Sequence, residues 1–281
     1  MNPVDGVPCL GAGLAFQSPY LDELVRGEGD VSWLEIIPET SMDRGGRIHR
    51  AVRDLAGRYP VALHGLAMNL GSTDPLDFGY LEALKVFARD LGARWISDHL
   101  CFSGVGDRYY AQAFPLPHTE EAISHLVSRI RVVQDYLQLP FLVENVSSYF
   151  EHEVDGSLSE EEFVSRVVGD ADCGLLLDLS SVHVNAHNHG FDAADHLNRL
   201  PFSRVGQIHL GGHAERDNLV LNIHGSPVSD AVWSLFETAV GLLERPVLLE
   251  RDHEIPPLDA LLPELRRVSR VIHSRFPGGG T

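Results

Sequence analysis

Short apolar runs alternate along the chain with longer stretches of helical periodicity. Eight runs, each five to eight residues long, are continuous enough to be strands buried on both faces of a parallel sheet. They lie at 9–16, 31–37, 60–64, 94–99, 140–144, 174–178, 205–210 and 246–250. Strand and helix alternating eight times predicts an α/β fold, a single-domain TIM (β/α)8 barrel.

The stretches between these runs carry the start and stop signals of amphipathic helices. Thr119 before two glutamates predicts a capped helix start, and Ser159 with Glu162 forms a capping box. Gly92 predicts a helix C-cap. Apolar faces at helical spacing are expected at 81–91, 123–137, 163–167, 235–243 and 258–268.

Two longer segments, 102–117 and 211–227, are expected to be irregular. Both follow strands, so both should lie over the mouth of the barrel and contact the substrate. The terminal Pro-Gly-Gly-Gly-Thr at 277–281 predicts a disordered tail, which leaves 1–276 as the expected metal-dependent domain.

Residues 174–190 join a buried strand to a group of polar side chains. Three leucines lead to Asp178, and the residues that follow include His183, His187 and His189. This stretch can be a polar loop that caps a strand. It can also be part of a metal site, because carboxylates and imidazoles both offer lone pairs to a cation.

The ends of the other strands favour the metal site. Six consecutive strands end in ionisable residues: His64, Asp98 with His99, Glu144, Asp178, His209 and Glu250. His224, in the loop after the seventh strand, can join them. TIM-barrel active sites form at the carboxyl ends of the strands, and so many ionised groups in one cavity need cations.

The donor types narrow the choice of metal. Nitrogen and oxygen donors without thiolate suit iron, manganese or zinc better than magnesium or calcium. The donors are numerous enough for more than one ion, and Glu144 or Asp178 could bridge two of them.

Other histidines are assigned by position. Near the mouth, His213 and Asp252 are expected to orient ligands or contact substrate, His189 to line the site, and His183 to be a candidate extra ligand. Four histidines in predicted helices are expected at the surface: His49, His125, His196 and His273.

Composition excludes several classes of protein. The chain has 281 residues, 44% hydrophobic, enough for one large barrel, and its net charge of −18 argues against a nucleic-acid partner. No apolar run reaches the ~18 residues of a membrane span, and no secretory signal is evident. Three scattered cysteines suggest no disulfide framework, so a cytoplasmic location is expected.

Several longer motifs occur along the chain in the same order as in a known family of enzymes. They are Gly11-Ala-Gly-Leu, Trp33-Leu-Glu-Ile, Leu63-His-Gly-Leu, Ser97-Asp-His-Leu-Cys-Phe-Ser, Leu142-Val-Glu-Asn-Val-Ser-Ser-Tyr149, Asn188-His-Gly and Gln207-Ile-His-Leu-Gly-Gly-His213. From about Gly11 to about Leu265 the chain resembles the multinuclear non-haem iron-dependent oxidative enzymes, which include the methanobactin-biosynthesis oxidase.

The resemblance implies a TIM barrel with two or three irons, mixed Fe(II)/Fe(III), and O2 as co-substrate. It implies modification of a ribosomally made precursor peptide, often at cysteine, with a small leader-binding partner protein. Glu144, Asp178 and His209 are the candidates for direct catalytic roles. Carried over by motif, the candidate metal ligands are His64, His99, Glu144, Asn145, Asp178, His209, Asn222, His224 and Glu250.

This chain departs from the family pattern in one loop. The family pattern reads Asp-Thr-His-Gly-His-Pro-Val, whereas this chain has Asn222-Ile-His-Gly-Ser226-Pro-Val. Ser180-Ser181 also replaces the usual Asn-Asn after Asp178. An amide in place of a carboxylate brings no charge, so we expect two tightly held irons and a weaker third position.

Two alternatives remain open from the sequence. One is a xylose-isomerase-like or endonuclease-like barrel that uses divalent metals for isomerisation or hydrolysis. The other is a non-catalytic protein that binds metal or peptide. Consumption of O2 distinguishes the oxidase from the isomerase or hydrolase. A vacant or single-metal site in freshly purified protein would favour the non-catalytic protein.

Overall fold

The structure is a computed structural model that describes residues 2–42, 45–106, 108–150, 152 and 154–276. The predicted tail 277–281 lies outside the described residues. In chain order the strands are β1 Ala12–Ala15, β2 Trp33–Ile36, β3 Val61–His64, β4 Ile96–His99, β5 Cys101–Val105, β6 Arg108–Pro115, β7 Phe141–Glu144, β8 Gly174–Asp178, β9 Val205–Leu210, β10 His213–Arg216, β11 Leu219–Asn222 and β12 Val247–Leu249.

Eight of these strands close into a parallel barrel in the order β1-β2-β3-β4-β7-β8-β9-β12. The predicted TIM barrel is therefore confirmed. All eight predicted strands are present; β8 and β9 have the predicted bounds and the others are shorter by one to four residues. Nearly every barrel-strand residue is buried, which explains why the strands appear in the sequence as continuous apolar runs.

Helices pack around the barrel. In chain order they are α1 Leu21–Arg26, α2 Arg47–Ala56, α3 Phe78–Leu91, α4 Glu120–Leu137, α5 Glu160–Ala171, α6 Leu179–His189, α7 Ala193–Arg199, α8 Asp230–Val240 and α9 Leu258–Arg275. Short 3-10 turns lie at Ser18–Tyr20, Pro38–Thr40 and Phe202–Arg204. Within the described residues, none of the helices combines the length and apolarity that crossing a membrane requires.

The predicted helix signals are confirmed at three ends. The Thr119 side chain accepts a hydrogen bond from Ala122 N, and that of Ser159 accepts one from Glu162 N. Gly92 ends α3 in the left-handed region, with φ 62°. The face predicted at 235–243 extends too far, because α8 ends at Val240 and Leu242 is exposed.

The two segments predicted to be irregular are hairpins, so that prediction is wrong. β5 pairs antiparallel with β6, and β10 with β11. The second hairpin turns at Asp217 and Asn218, whose φ values of 50° and 68° are those of a two-residue turn. Each hairpin directly follows a barrel strand, β4 or β9, and so begins at the mouth of the barrel.

The loop interpretation of 179–190 is also wrong, because these residues form α6. Asp178 is its N-cap and accepts hydrogen bonds from Ser180 N and Ser181 N, while Gly190 ends it with φ 73°. The prediction that His196 lies at the surface fails as well, since this side chain is 2% exposed on α7.

Candidate metal centre

A cavity of about 480 Å³ opens at the carboxyl ends of the barrel strands. Its wall includes part of the β5–β6 hairpin, with Tyr109 and Gln112. Eight of the nine predicted ligands line it: His64, His99, Glu144, Asn145, Asp178, Asn222, His224 and Glu250. The ninth, His209, is fully buried and contacts two of these carboxylates.

Three of these side chains form a first donor group: His64 Nε2, His99 Nε2 and Glu144 Oε2. The two imidazole nitrogens are 3.3 Å apart, and they lie 3.2 and 3.1 Å from the carboxylate oxygen. Donors bound to one ion at about 2.1 Å, at tetrahedral or octahedral angles, lie roughly 3.0 to 3.4 Å from one another. The first donor group therefore has the spacing of ligands around a single cation.

The ring orientation of both histidines is fixed by contacts of their Nδ1 atoms, on the side of each ring away from the cavity. His64 Nδ1 lies 2.9 Å from Ser97 Oγ, which itself donates to Leu63 O at 3.3 Å. His99 Nδ1 lies 3.2 Å from Gly65 O. A hydroxyl already donating elsewhere and a carbonyl can only accept, so each Nδ1 carries the proton. When its Nε2 carries no proton, each ring presents the Nε2 lone pair to the cavity, as metal-binding histidines do.

The second donor group lies beside the first. His209 Nδ1 is 3.3 Å from Glu144 Oε1 and 3.0 Å from Glu250 Oε2. His224 Nδ1 is 3.0 Å from the same Glu250 oxygen and 3.4 Å from Asp252 Oδ2. Glu144 thus stands between the two donor groups, with Oε2 facing the first and Oε1 facing the second.

Several donor atoms in these groups have no hydrogen-bond partner in the described part of the chain, although they are buried. They are Glu144 Oε2, His209 Nδ1 and Glu250 Oε2, and a fourth atom, His224 Nε2, lies on the opposite side of its ring, towards Asp178. An unpaired buried polar atom is costly, and four in one cavity point to a missing binding partner. Because the atoms are nitrogen and oxygen lone-pair donors, the residues fit a metal centre.

The ionisable groups of the cavity shift one another's pKa values. Burial alone would lower the pKa of His64, but the carboxylates of Glu144 and Glu35 raise it to about 9. Burial is likewise outweighed at His209, where carboxylates raise the pKa well above its usual range. For Glu250, neighbouring imidazoles overcome burial and lower the pKa well below normal. Protons therefore supply the positive charge that cations would bring, and metal binding should release them.

Asp178 is held differently from the other carboxylates. Its Oδ2 accepts from Ser181 Oγ at 2.7 Å and from Asn222 Nδ2 at 2.8 Å, and Oδ1 accepts from Ser180 N at 2.8 Å. His224 Nε2 is 3.6 Å from Oδ2. The Asn222 amide nitrogen therefore faces this carboxylate, while Oδ1 of Asn222 is buried without a partner among the described residues.

Asn145 has both ends of its amide engaged. Its Nδ2 donates to Asp178 O at 3.0 Å and its Oδ1 accepts from Asp178 N at 2.9 Å. These bonds tie the end of β7 to the end of β8. A role of Asn145 as a ligand stays a prediction, and its observed contacts position Asp178.

Of the predicted supporting residues, the structure brings Asp252 to the donor groups and places three histidines elsewhere. His183 packs its ring on that of His213, with centroids 4.6 Å apart. His189 Nε2 lies 3.0 Å from Ser148 O and lines a different cavity.

The side chains beneath His209 were not among the residues predicted to form the site. Glu35 Oε1 lies 3.2 Å from His209 Nε2, so a proton on Nε2 can be donated to Glu35 and Nδ1 is then the coordinating atom. Gln207 lies beside this pair: its Nε2 donates to Glu35 Oε2 at 2.6 Å and is also 2.6 Å from His209 Nε2. Gln207 is held in turn by Trp95, whose Nε1 donates to Gln207 Oε1 at 2.5 Å. The available signal was a lone carboxylate inside the buried run Trp33-Leu-Glu-Ile, since such a group needs a polar partner.

Comparison with known sequences gives one family and several close relatives. A family model described as "RiPP precursor modification enzyme MbnB/TglH/ChrH" matches residues 11–273. A UPF0276 protein from Anaeromyxobacter sp. (strain Fw109-5) is 42% identical over 263 residues, covering 93% of each chain. A UPF0276 protein from Pseudomonas aeruginosa (strain UCBPP-PA14) is 42% identical over 264 residues, covering 93% of this chain and 92% of the relative.

Similar solved structures share the barrel at low sequence identity. D-Psicose 3-epimerase from Clostridium cellulolyticum has a TM-score of 0.60 at 13% identity, covering 95% of this chain and 97% of that one. Endonuclease IV from Thermus thermophilus has a TM-score of 0.56 at 18% identity, covering 94% and 99%. At such identities the likeness shows the fold alone.

Proposed function

The chain belongs to the MbnB/TglH/ChrH family of RiPP precursor modification enzymes, and from this premise we propose that it is a multinuclear iron- and O2-dependent oxidase acting on a cysteine of its precursor peptide. RiPP denotes a ribosomally synthesised and post-translationally modified peptide. Family membership makes the chain a precursor-modifying enzyme. The use of iron, the dependence on O2 and the choice of cysteine as the modified residue are our proposal.

One observation carries the proposal: Glu144 directs one oxygen at each of two donor groups. A carboxylate shared in this way suits two ions held side by side. His64, His99 and Glu144 would hold one ion. The other would lie among His224, Glu250 and Asp252, with His209 and the second oxygen of Glu144 beside them. Nitrogen and oxygen donors suit iron, and when bound the ions would supply Lewis acidity and electrons for the reduction of O2.

The surrounding residues prepare this site and leave it open on one side. Ser97, the Gly65 carbonyl and Glu35 fix the imidazole rings, which lowers the cost of organising the donors. Tyr109 on the hairpin and Tyr149 on the segment after β7 form part of the cavity wall. These aromatic surfaces could contact an extended peptide whose cysteine enters the cavity.

Partners and location follow as part of the proposal. The substrate would be a short precursor peptide, and a small protein that binds its leader would present it. The chain would work in the cytoplasm, where cysteines stay reduced.

The test combines metal analysis with an oxygen measurement. Protein prepared without oxygen and supplied with Fe(II) should hold about two irons per chain, read by elemental analysis and Mössbauer spectra. With a cysteine-bearing precursor peptide encoded beside it, the protein should consume O2 and change the peptide mass. Turnover without O2 consumption, supported by magnesium or manganese, would instead establish the isomerase or hydrolase alternative. Zinc alone, with no activity gained from iron, would reject the oxidase.

A further inference from the structure

A second cavity, of about 450 Å³, lies beside the metal cavity and is used by none of the steps above. Helices α5, α6 and α7 contribute Glu160, Asn185 and His196 to its wall. The volume is in the range of small-ligand sites. Asn145 and Val146 line both cavities, so this segment of the chain forms a wall that the two cavities share.

The cavity holds a carboxylate, that of Glu160, with no cationic partner among the described residues. Glu160 accepts hydrogen bonds from the neutral amide of Asn185, at 3.1 and 3.3 Å. Within the described residues, the ionisable group within 4 Å of Glu160 is His196, at 3.8 Å. Burial raises the pKa of Glu160 to about 7, which is the behaviour of a desolvated carboxylate without a counter-charge.

His196 adds a second acceptor to the same wall. Its side chain is almost fully buried, and its Nδ1 lies 3.3 Å from Glu161 Oε2. Burial also lowers the pKa of His196, so the ring is neutral near pH 7 and the proton on Nδ1 faces Glu161. Nε2 is then an acceptor, and this buried atom has no hydrogen-bond partner in the described chain. A carboxylate without a counter-charge and a ring nitrogen without a donor, on the same wall of the described chain, point to a cationic ligand that donates hydrogen bonds.

Flat rings line the space around these acceptors. His118 stacks on Phe163 with centroids 4.6 Å apart, and Phe191 lies against His196 at 4.9 Å. A planar guanidinium group stacks on such rings while its N–H groups reach acceptors in its plane. Arg199, also on the wall, is already paired with Glu161 at 2.6 Å and leaves Glu160 available.

We propose that this second cavity binds the guanidinium group of an arginine side chain, with Glu160 and His196 Nε2 as its acceptors. That the arginine belongs to the substrate peptide rests on the proposed function. The net charge of −18 favours a basic segment as the partner of this face.

The shared wall explains how one peptide could occupy both cavities. Along the segment after β7, Ser147 and Tyr149 line the metal cavity, whereas Ser148 and Phe150 line the second. Asn185 fixes this segment, since its Oδ1 accepts from Ser148 N at 2.7 Å and its Nδ2 donates to Val146 O at 3.1 Å. A peptide crossing the wall can place one side chain near the metal donors and an arginine beside Glu160.

The test compares a cationic probe with its neutral isostere. Isothermal titration of the full chain with Nα-acetyl-arginine amide should show saturable millimolar binding, and Nα-acetyl-citrulline amide should show none. Glu160→Gln should weaken arginine binding roughly tenfold or more, because charge-assisted hydrogen bonds are lost. Glu162→Gln, an exposed neighbour on the same helix, should bind like the unaltered chain.

Three results would overturn the proposal: equal binding of both probes, unchanged arginine binding in Glu160→Gln, or Zn²⁺ binding that depends on Glu160 without arginine binding. The comparison of the two probes needs no variant, so it decides the matter even if Glu160→Gln does not fold. The titration needs neither iron nor O2. Arginine binding by a protein that proves not to be an oxidase would reject only the proposed function, and an active oxidase indifferent to arginine would reject only this subsite.

Discussion

Glu144→Gln is the substitution that tests the metal centre most directly. The amide keeps the shape of the side chain but has one oxygen, and its NH2 offers no lone pair to a cation. Glu144 faces His64 and His99 with one oxygen and His209 with the other, at 3.1 to 3.3 Å. Whichever way the amide turns, one donor group loses a ligand and the other loses a charge.

The expected magnitude follows from the burial of this side chain, which is 3% exposed. Removing one partner from a buried charged pair costs about 3–5 kcal/mol, which corresponds to roughly 100-fold or more in each dissociation constant. Metal titration followed by elemental analysis should therefore show both ions weakened. Asp252→Asn is the matched control, since Asp252 lies in the second donor group, beside His224 and Glu250, and has no described contact with His64 or His99. Circular dichroism should report an intact fold, and loss of a single ion would show that Glu144 binds one metal only.

Three further changes test other parts of the centre. Asn222→Asp places a carboxylate against that of Asp178, to which Asn222 Nδ2 donates a hydrogen bond at 2.8 Å in this chain. Repulsion between the two carboxylates should lower the melting temperature of the metal-free variant and tighten the binding of a third cation. Equal occupancy of the third site in both forms, measured by metal titration, would reject this expectation. Because the pKa of His64 is raised to about 9, its imidazolium stabilises the metal-free chain fully below pH 6.5, and this stability is lost as pH rises through 9. Melting temperatures from pH 6 to 10 should fall for the metal-free chain and change less for the metal-loaded one; a flat metal-free profile would count against the assignment. Glu35→Gln should weaken binding of the ion at His209 by about 10- to 100-fold and leave binding of the ion at His64 and His99 unchanged. Site-resolved Mössbauer spectra can distinguish the two ions, and an equal effect on both would mean that Glu35 acts on the whole cavity.

Much of the barrel could be predicted because its strands are buried on both faces and lie between capped helices. Those features are local, and each one is visible in a few residues of sequence. The two hairpins could not be identified in this way. Their strands are partly exposed, as at Tyr109 and Tyr110, so they have no continuous apolar run.

The predicted ligands converge because the barrel geometry brings strand ends together. Their partners were harder to find, since contacts such as that between Glu35 and His209 join residues 174 positions apart. The orientation of Asn222 is likewise a tertiary property. His183 and His189 lie away from the two donor groups, because closeness to Asp178 in the chain does not set where a helix directs its side chains.

The amide of Asn145 acts as an additional peptide group between two strands. It donates to and accepts from the backbone of residue 178, beyond the last paired residues of β7 and β8. The sheet therefore sets the spacing between Glu144 and Asp178, the carboxylates at these two strand ends, and this spacing does not depend on the segments that follow. The loops and hairpins at the mouth can therefore change in length or sequence without moving Glu144 and Asp178 relative to each other.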